Sequence, residues 1–386
     1  MDKKCILPWI HFSVGINGDV VPCSVANNNE PLGNIQTHTI KEIWNNDRYV
    51  KLRNQMINGE EPESCTNCYN QEKHGGHSKR LRENKLWSKY WHLADNPTPD
   101  FRIPYIHIEF SNVCNFKCRT CNPSTSHSIA VEWKQLNWPL PHKEILHVVP
   151  NYWNDIKENI MHIEEIYFIG GEPMLMDEHY QLLQMLIDAG NFDVRLRYNS
   201  NVSKLKLKHH NVLDYWKHFK NISVHASLDG VAGEIEYIRH GAKWLEILEN
   251  LKIITALPNM HFRISCCVSV FNVLRLHDIY KKYIELGFIG PDDFGANVLV
   301  NPDYYSIQSL HPDLKKQVKQ NIEELLSSVA MNEMATSNFK YLINFMYEQD
   351  TYLEHQYKFK EITTALDTHR GEDLLTTFPE LESQLL

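Results

Sequence analysis

The chain has 386 residues, 42% hydrophobic and 11% aromatic, with 39 basic against 48 acidic side chains and a formal charge of −9. That is enough apolar material for one large domain and a smaller one, and it excludes a disordered chain. Charges of both signs are interspersed and no apolar run approaches a membrane span, so neither duplex nucleic acid nor a membrane is an expected partner, and the protein reads as cytoplasmic.

In chain order, residues 1–72 form the first segment. Asn17-Gly18 marks a hairpin between the runs "IHFSV" and "VVPCSV", and Ile40, Ile43, Trp44 and Leu52 follow at helical spacing. Residues 73–100 are polar and charged, end in "NPTPD", and read as a helix followed by an extended linker. From 101 to 302 the period changes. The runs "YIHIEF" (105–110), "EIYFIG" (165–170), "VRLRYN" (194–199), "ISVHASL" (222–228), "FRISCCVSV" (262–270) and "GANVLV" (295–300) alternate with helical stretches such as "EHYQLLQMLIDAG". Six strands alternating with helices predict an α/β fold, a partial (β/α)6 TIM-like barrel that presents ligands at its C-terminal strand ends. Over 303–386 the strand pattern stops, and Leu310, Leu314, Val318, Ile322 and Leu325 predict a helical C-terminal extension.

Nine cysteines in a reduced compartment call for something other than disulfides. Cys5, Cys23, Cys65 and Cys68 lie in the first segment, Cys114, Cys118 and Cys121 on the turn-forming stretch "SNVCNFKCRTCNPSTS", and Cys266 and Cys267 stand alone. Two metal sites are the economical reading. Thiolates select zinc or iron-sulfur clusters. A zinc ion on the second group needs a fourth ligand, for which His127 is the nearby candidate; a cubane held by three thiolates instead keeps one iron open. For the first group, four thiolates suit either a structural zinc or a closed cubane.

The spacing C-x3-C-x2-C after the first barrel strand resembles the radical S-adenosylmethionine (radical SAM) superfamily, and further motifs follow in that family's order. "GGEP" (Gly170, Gly171, Glu172, Pro173) ends the second strand, "NSN" (Asn199, Asn201) the third, "SLDG" (Ser227, Asp229) the fourth and "VSVFN" (Val270, Asn272) the fifth. The resemblance implies a [4Fe–4S] cluster on Cys114, Cys118 and Cys121 whose open iron binds SAM, with these polar positions holding its amino, carboxylate, ribose and adenine groups. Arg239 either reaches a carboxylate or makes an ion pair, and Asn201 and Asp229 alternatively cap helices. Thr120 departs from the aromatic residue many members carry there. Cys5, Gly18-x4-Cys23, "LGNI…EIWN…LR" and Cys65-x2-Cys68 resemble the SPASM or twitch module, which implies a second, auxiliary [4Fe–4S] cluster; here the module precedes the barrel.

The resemblance further implies reductive cleavage of SAM to a 5′-deoxyadenosyl radical and hydrogen abstraction from a peptide or protein, giving oxidation, a cross-link or epimerisation. The auxiliary cluster would relay electrons, and a flavodoxin- or ferredoxin-like protein would supply them. A small-molecule substrate such as a sugar, nucleoside or amino acid is the alternative, and a non-catalytic iron-sulfur or zinc protein a third. Adjacent residues on a strand point to opposite faces, so one of Cys266 and Cys267 faces the barrel interior, as a small core side chain or as a hydrogen donor. His209, His210 and His240 read as surface residues or substrate contacts.

Overall fold

The computed structural model describes residues 3–27, 30–140 and 150–385. The chain divides into two compact units, one of Met1–Val113, Pro141–Asn199 and Leu205–Ser223, the other of Cys114–Leu140, Ser200–Lys204 and Val224–Leu386.

In the first unit the expected hairpin forms. Gly18 takes a positive φ of 80°, and strands His11–Val14 and Asp19–Val21 pair antiparallel with Ser13 opposite Val21. The hairpin also reaches outward. His11–Val14 pairs in parallel with Tyr105–Ile108, setting His11 opposite Tyr105 and Ser13 opposite His107. Tyr105–Ile108 pairs in parallel with Glu165–Phe168, and that strand with Arg195–Ser200. All four residues of His11–Val14 and of Tyr105–Ile108 are buried, as expected of strands covered on both faces of the sheet.

Alternation along these strands puts polar side chains on one shared face. Arg197 pairs with Glu165 at 2.9 Å and Glu83 at 3.6 Å, and its guanidinium lies 4.3 Å from the Tyr167 ring centre. Glu83 belongs to the helix Lys79–Leu86, capped by the Ser78 hydroxyl. The stretch that reads as a polar linker thus buries Lys79, Arg80 and Glu83, each with a partner. Lys79 Nζ donates to Ser24 Oγ at 2.7 Å and Arg80 pairs with Glu72. Partners from distant segments make the burial of these charges tolerable, which is why local polarity misleads here.

In the second unit, Met260–Val268 pairs in parallel with Phe294–Val298, Ile264 opposite Phe294, and the helices Trp244–Thr255 and Leu276–Glu285 precede these strands in turn. The C-terminal helices are Pro312–Ser328, Glu333–Glu348 and Tyr352–Arg370. Val318, Ile322 and Leu325 of the first are buried as the predicted stripe requires, with Leu314 half-buried, and Phe339 and Leu342 of the second are buried too. Each such side chain contributes about 1.5–3 kcal/mol of burial. All six expected barrel strands are present with ends shifted by a few residues, so the fold is α/β, a partial (β/α)6 barrel with a helical C-terminus. Among the described residues no helix is long and apolar enough to cross a membrane.

Candidate functional site

Folding gathers the four N-terminal cysteines. Cys5 precedes the short helix Leu7–Ile10, Cys23 follows strand Asp19–Val21, Cys65 ends the turn Glu63–Cys65 and Cys68 lies on helix Thr66–Lys73. Backbone bonds such as Asn27 N–H to Ser64 O at 2.8 Å tie these segments together. Burial pushes the Cys5 thiol well above the ordinary thiol range, and Cys65 and Cys23 push it further. Burial and then Cys23 push Cys65 up to about 12, and Cys68 rises for the same two reasons. Cys5 thus has Cys23, Cys65 and Cys68 as electrostatic neighbours, and thiols so placed lose their protons when a positive centre binds among them. A donor set of four soft thiolates fits an iron-sulfur cluster.

In the second unit, Cys118 ends the two-residue strand Lys117–Cys118, which pairs antiparallel with Arg239–His240 so that Cys118 lies opposite Arg239. Side chains hold the rest of the loop: Ser126 Oγ donates to Phe116 O at 3.0 Å and Ser128 Oγ to Cys114 O at 2.6 Å. Asn201 Nδ2 donates to Asn115 Oδ1 at 3.0 Å, so this position braces the cysteine loop. Burial raises the Cys118 thiol, Arg239 draws it back, and Cys121 and Cys114 push it up again. The three thiols therefore share one neighbourhood, and their soft donor set fits a cluster ligated through three corners. His127 is exposed at its helix start. Among the described residues no three Cys, His, Asp or Glu side chains converge as closely as one metal ion requires.

Arg239 Nη1 lies 3.7 Å from Cys118 Sγ, and its Nη2 pairs with the fully buried Asp229 at 2.8 Å. Asp229 Oδ1 also accepts from Cys267 N–H at 2.8 Å. The Asn272 amide is engaged within the chain, donating to Asp229 O and Cys267 O at 2.9 Å and accepting from Ser269 N–H at 2.9 Å. Val270 is buried and donates its N–H to Tyr305 O, and Ser227 N–H donates to Ser200 O. The two adjacent cysteines do face apart. Cys266 is in contact with Asn272, whereas Cys267 interacts with Thr120 and Cys121 of the cluster loop, its thiol pushed up to about 12 by burial and then by Asp229.

In the first unit the "GGEP" turn lies flush on the backbone that leads into Cys114. Gly170 has a φ of +108°, Gly171 N–H donates to Ser111 O at 3.2 Å and Glu172 N–H to Val113 O at 2.7 Å. A Cβ on Gly171 would stand 2.1 Å from Val113 O, a backbone atom that cannot rotate away. Gly171→Ala is therefore expected to displace the turn, read as faster hydrogen exchange over residues 109–114 than in the unaltered protein. Glu172 caps the turn Pro173–Leu175, and Asn199 Oδ1 is buried with no hydrogen-bond partner among the described residues, an acceptor available to a ligand.

Sequence reasoning missed two groups here. Ser13 Oγ lies 2.5 Å from His107 Nδ1, and His107 Nε2 3.5 Å from Glu109 Oε1, close to Gly170. Arg119, between two candidate ligands, meets Asp367 and Glu372. The alternation along "YIHIEF" places His107 and Glu109 on one face, but nothing local joins Ser13 or Asp367 to their partners.

Residues 108–264 match the family model described as the radical SAM superfamily, and residues 5–69 that of SPASM, an iron-sulfur cluster-binding domain. Among solved structures the chain is similar to native anSMEcpe with bound AdoMet, at 16% identity over 59% of this chain and 63% of that one, with a TM-score of 0.41. It is also similar to Streptococcus suis SuiB bound to precursor peptide SuiA, at 16% identity over 78% of this chain and 56% of that one, with a TM-score of 0.36. The chain thus spans less than two thirds of the length of either. No curated protein sequence matches it.

Proposed function

The chain is a radical SAM protein with an N-terminal SPASM iron-sulfur domain, and from that premise we propose that it is an enzyme that takes a hydrogen atom from a peptide or protein substrate. When bound, the cluster with the open iron supplies one electron to the SAM sulfonium, which yields methionine and the 5′-deoxyadenosyl radical. The chain's own residues hold and orient. Cys114, Cys118 and Cys121 would ligate that cluster, and Arg239, fixed by Asp229, keeps a positive charge 3.7 Å from Cys118. The Gly170-Gly171 turn offers backbone groups at close approach, and the Asn199 acceptor awaits a donor.

The observation that carries the substrate class is the gathering of Cys5, Cys23, Cys65 and Cys68 within a domain of the SPASM type. Four thiolates leave no iron open, so such a cluster accepts or passes electrons instead of binding SAM. Held by Cys5, Cys23, Cys65 and Cys68, it would supply the one-electron acceptor that a net loss of two hydrogens from substrate requires. SPASM-type modules accompany enzymes that modify peptides or proteins and also some that act on small molecules, so a polypeptide is the first reading and a small molecule the second.

The test incubates reconstituted protein, SAM and dithionite in D2O with a library of synthetic peptides and with any short peptide encoded beside its gene, followed by mass spectrometry. The expected product is a peptide lighter by two hydrogens, or one carrying solvent deuterium at a Cα. Unchanged peptides despite steady 5′-deoxyadenosine release would overturn the polypeptide reading in favour of a small molecule.

A further inference from the structure

We infer that the C-terminal extension is part of the cluster site: the end of helix Tyr352–Arg370 and the turn after it grip both neighbours of Cys118 and set the charge beside that ligand. The inference rests on Cys118 being a cluster ligand. Arg119 follows Cys118 directly, and its side chain is fully buried. Its Nη2 donates to Asp367 Oδ1 at 2.5 Å and to Glu372 Oε2 at 2.6 Å, its Nε to Tyr237 O at 3.2 Å, and its guanidinium carbon lies 3.8 Å from the Tyr237 ring centre. On the other side of Cys118, Lys117 O accepts from Arg370 Nη2 at 2.9 Å, and Arg370 also forks onto Glu132 at 3.0 and 2.7 Å.

The extension's acids are themselves held in place. Tyr237 Oη donates to Asp367 Oδ1 at 2.9 Å, Leu374 N–H to Asp367 Oδ2 at 2.9 Å, and His240 Nδ1 lies 2.5 Å from Glu372 Oε1. Gly371, at a φ of +66°, turns the chain after Arg370 and so brings Glu372 round to Arg119.

Mechanical support alone does not call for this arrangement. Replacing a buried ionic triad by packed apolar groups is often neutral or stabilising, so buried charge is weak ground for a purely structural role. Here one cation faces two carboxylates, one residue from a ligand whose other side meets the Arg239–Asp229 pair. Net charge and hydrogen bonding near the sulfurs are among the levers that set a cluster's potential. Asp367, Arg370 and Glu372 are thus positioning residues that act through Arg119 and Lys117.

The test uses the holoprotein with both clusters and measures each cluster's midpoint potential by EPR-monitored titration, with hydrogen exchange over residues 114–121. Glu372→Gln and Asp367→Asn each remove a negative charge and are expected to raise the potential of the SAM-site cluster. Arg119→Gln removes a positive charge and is expected to lower it, with Arg119→Lys restoring part of the shift. The auxiliary cluster serves as the internal control and is expected to stay put, while exchange in the loop speeds up in all but the Lys variant. Shifts of the same sign in all variants, equal shifts of both clusters, or no shift at all would overturn the inference. Absence of SAM cleavage in the unaltered protein would instead count against the radical reading, since the potentials are measured without turnover.

Discussion

Cys118→Ala is expected to abolish 5′-deoxyadenosine formation and to remove one of two clusters, leaving about four of about eight irons. Three thiolates are the minimum that leaves a single iron open; with two, the cluster loses a second protein ligand and its seat. Cys118 is also fixed by its surroundings. It sits in a strand pair opposite Arg239, with the Arg239 guanidinium 3.7 Å from its sulfur. Iron and sulfide analysis with chromatography of the SAM products reads both effects. Persistent 5′-deoxyadenosine would mean that the loop is not the cleavage site.

Cys65→Ala should separate the two sites in the opposite sense. SAM cleavage without substrate turnover continues, about four irons are lost, and modified product falls to background. Cys65 lies at the end of a turn and is only partly buried, so its truncation leaves a small defect in packing. Burial and Cys23 both raise its thiol, and in the proposed reading its loss opens the four-thiolate ligand set. Unchanged product formation with the iron of this module gone would demote the N-terminal site to a structural support.

Much of the architecture was legible because it is written in local periods. The six strand runs stand between helical stripes, and Asn17-Gly18 marks its own hairpin. The cysteine groups were legible from spacing, and the opposite facing of Cys266 and Cys267 follows from strand alternation alone. What stayed hidden depends on partners far along the chain. Arg119 and Asp367 are 248 positions apart, and no local signal reports such a pairing. The parallel register that sets Ser13 beside His107 is equally nonlocal, since a hairpin cue says nothing about the strand on the hairpin's other edge. The helix Lys79–Leu86 misled for a related reason: its charges look solvated in sequence, yet Glu72, Ser24 and Arg197 let them be buried. Asn272 is a case where a motif position and its observed bonds differ in emphasis, because its amide is spent on Asp229, Cys267 and Ser269.

In the proposed reaction this chain cleaves SAM on a three-cysteine cluster while a four-cysteine cluster stands by. Its most direct test is a single preparation, reconstituted anaerobically and given SAM and dithionite, in which iron, sulfide, zinc and 5′-deoxyadenosine are all quantified. The expected result is about eight irons with matching sulfide, no zinc, and steady 5′-deoxyadenosine release. Zinc in place of iron at the cysteine sites, with no 5′-deoxyadenosine formed in the presence or absence of peptide, would contradict it.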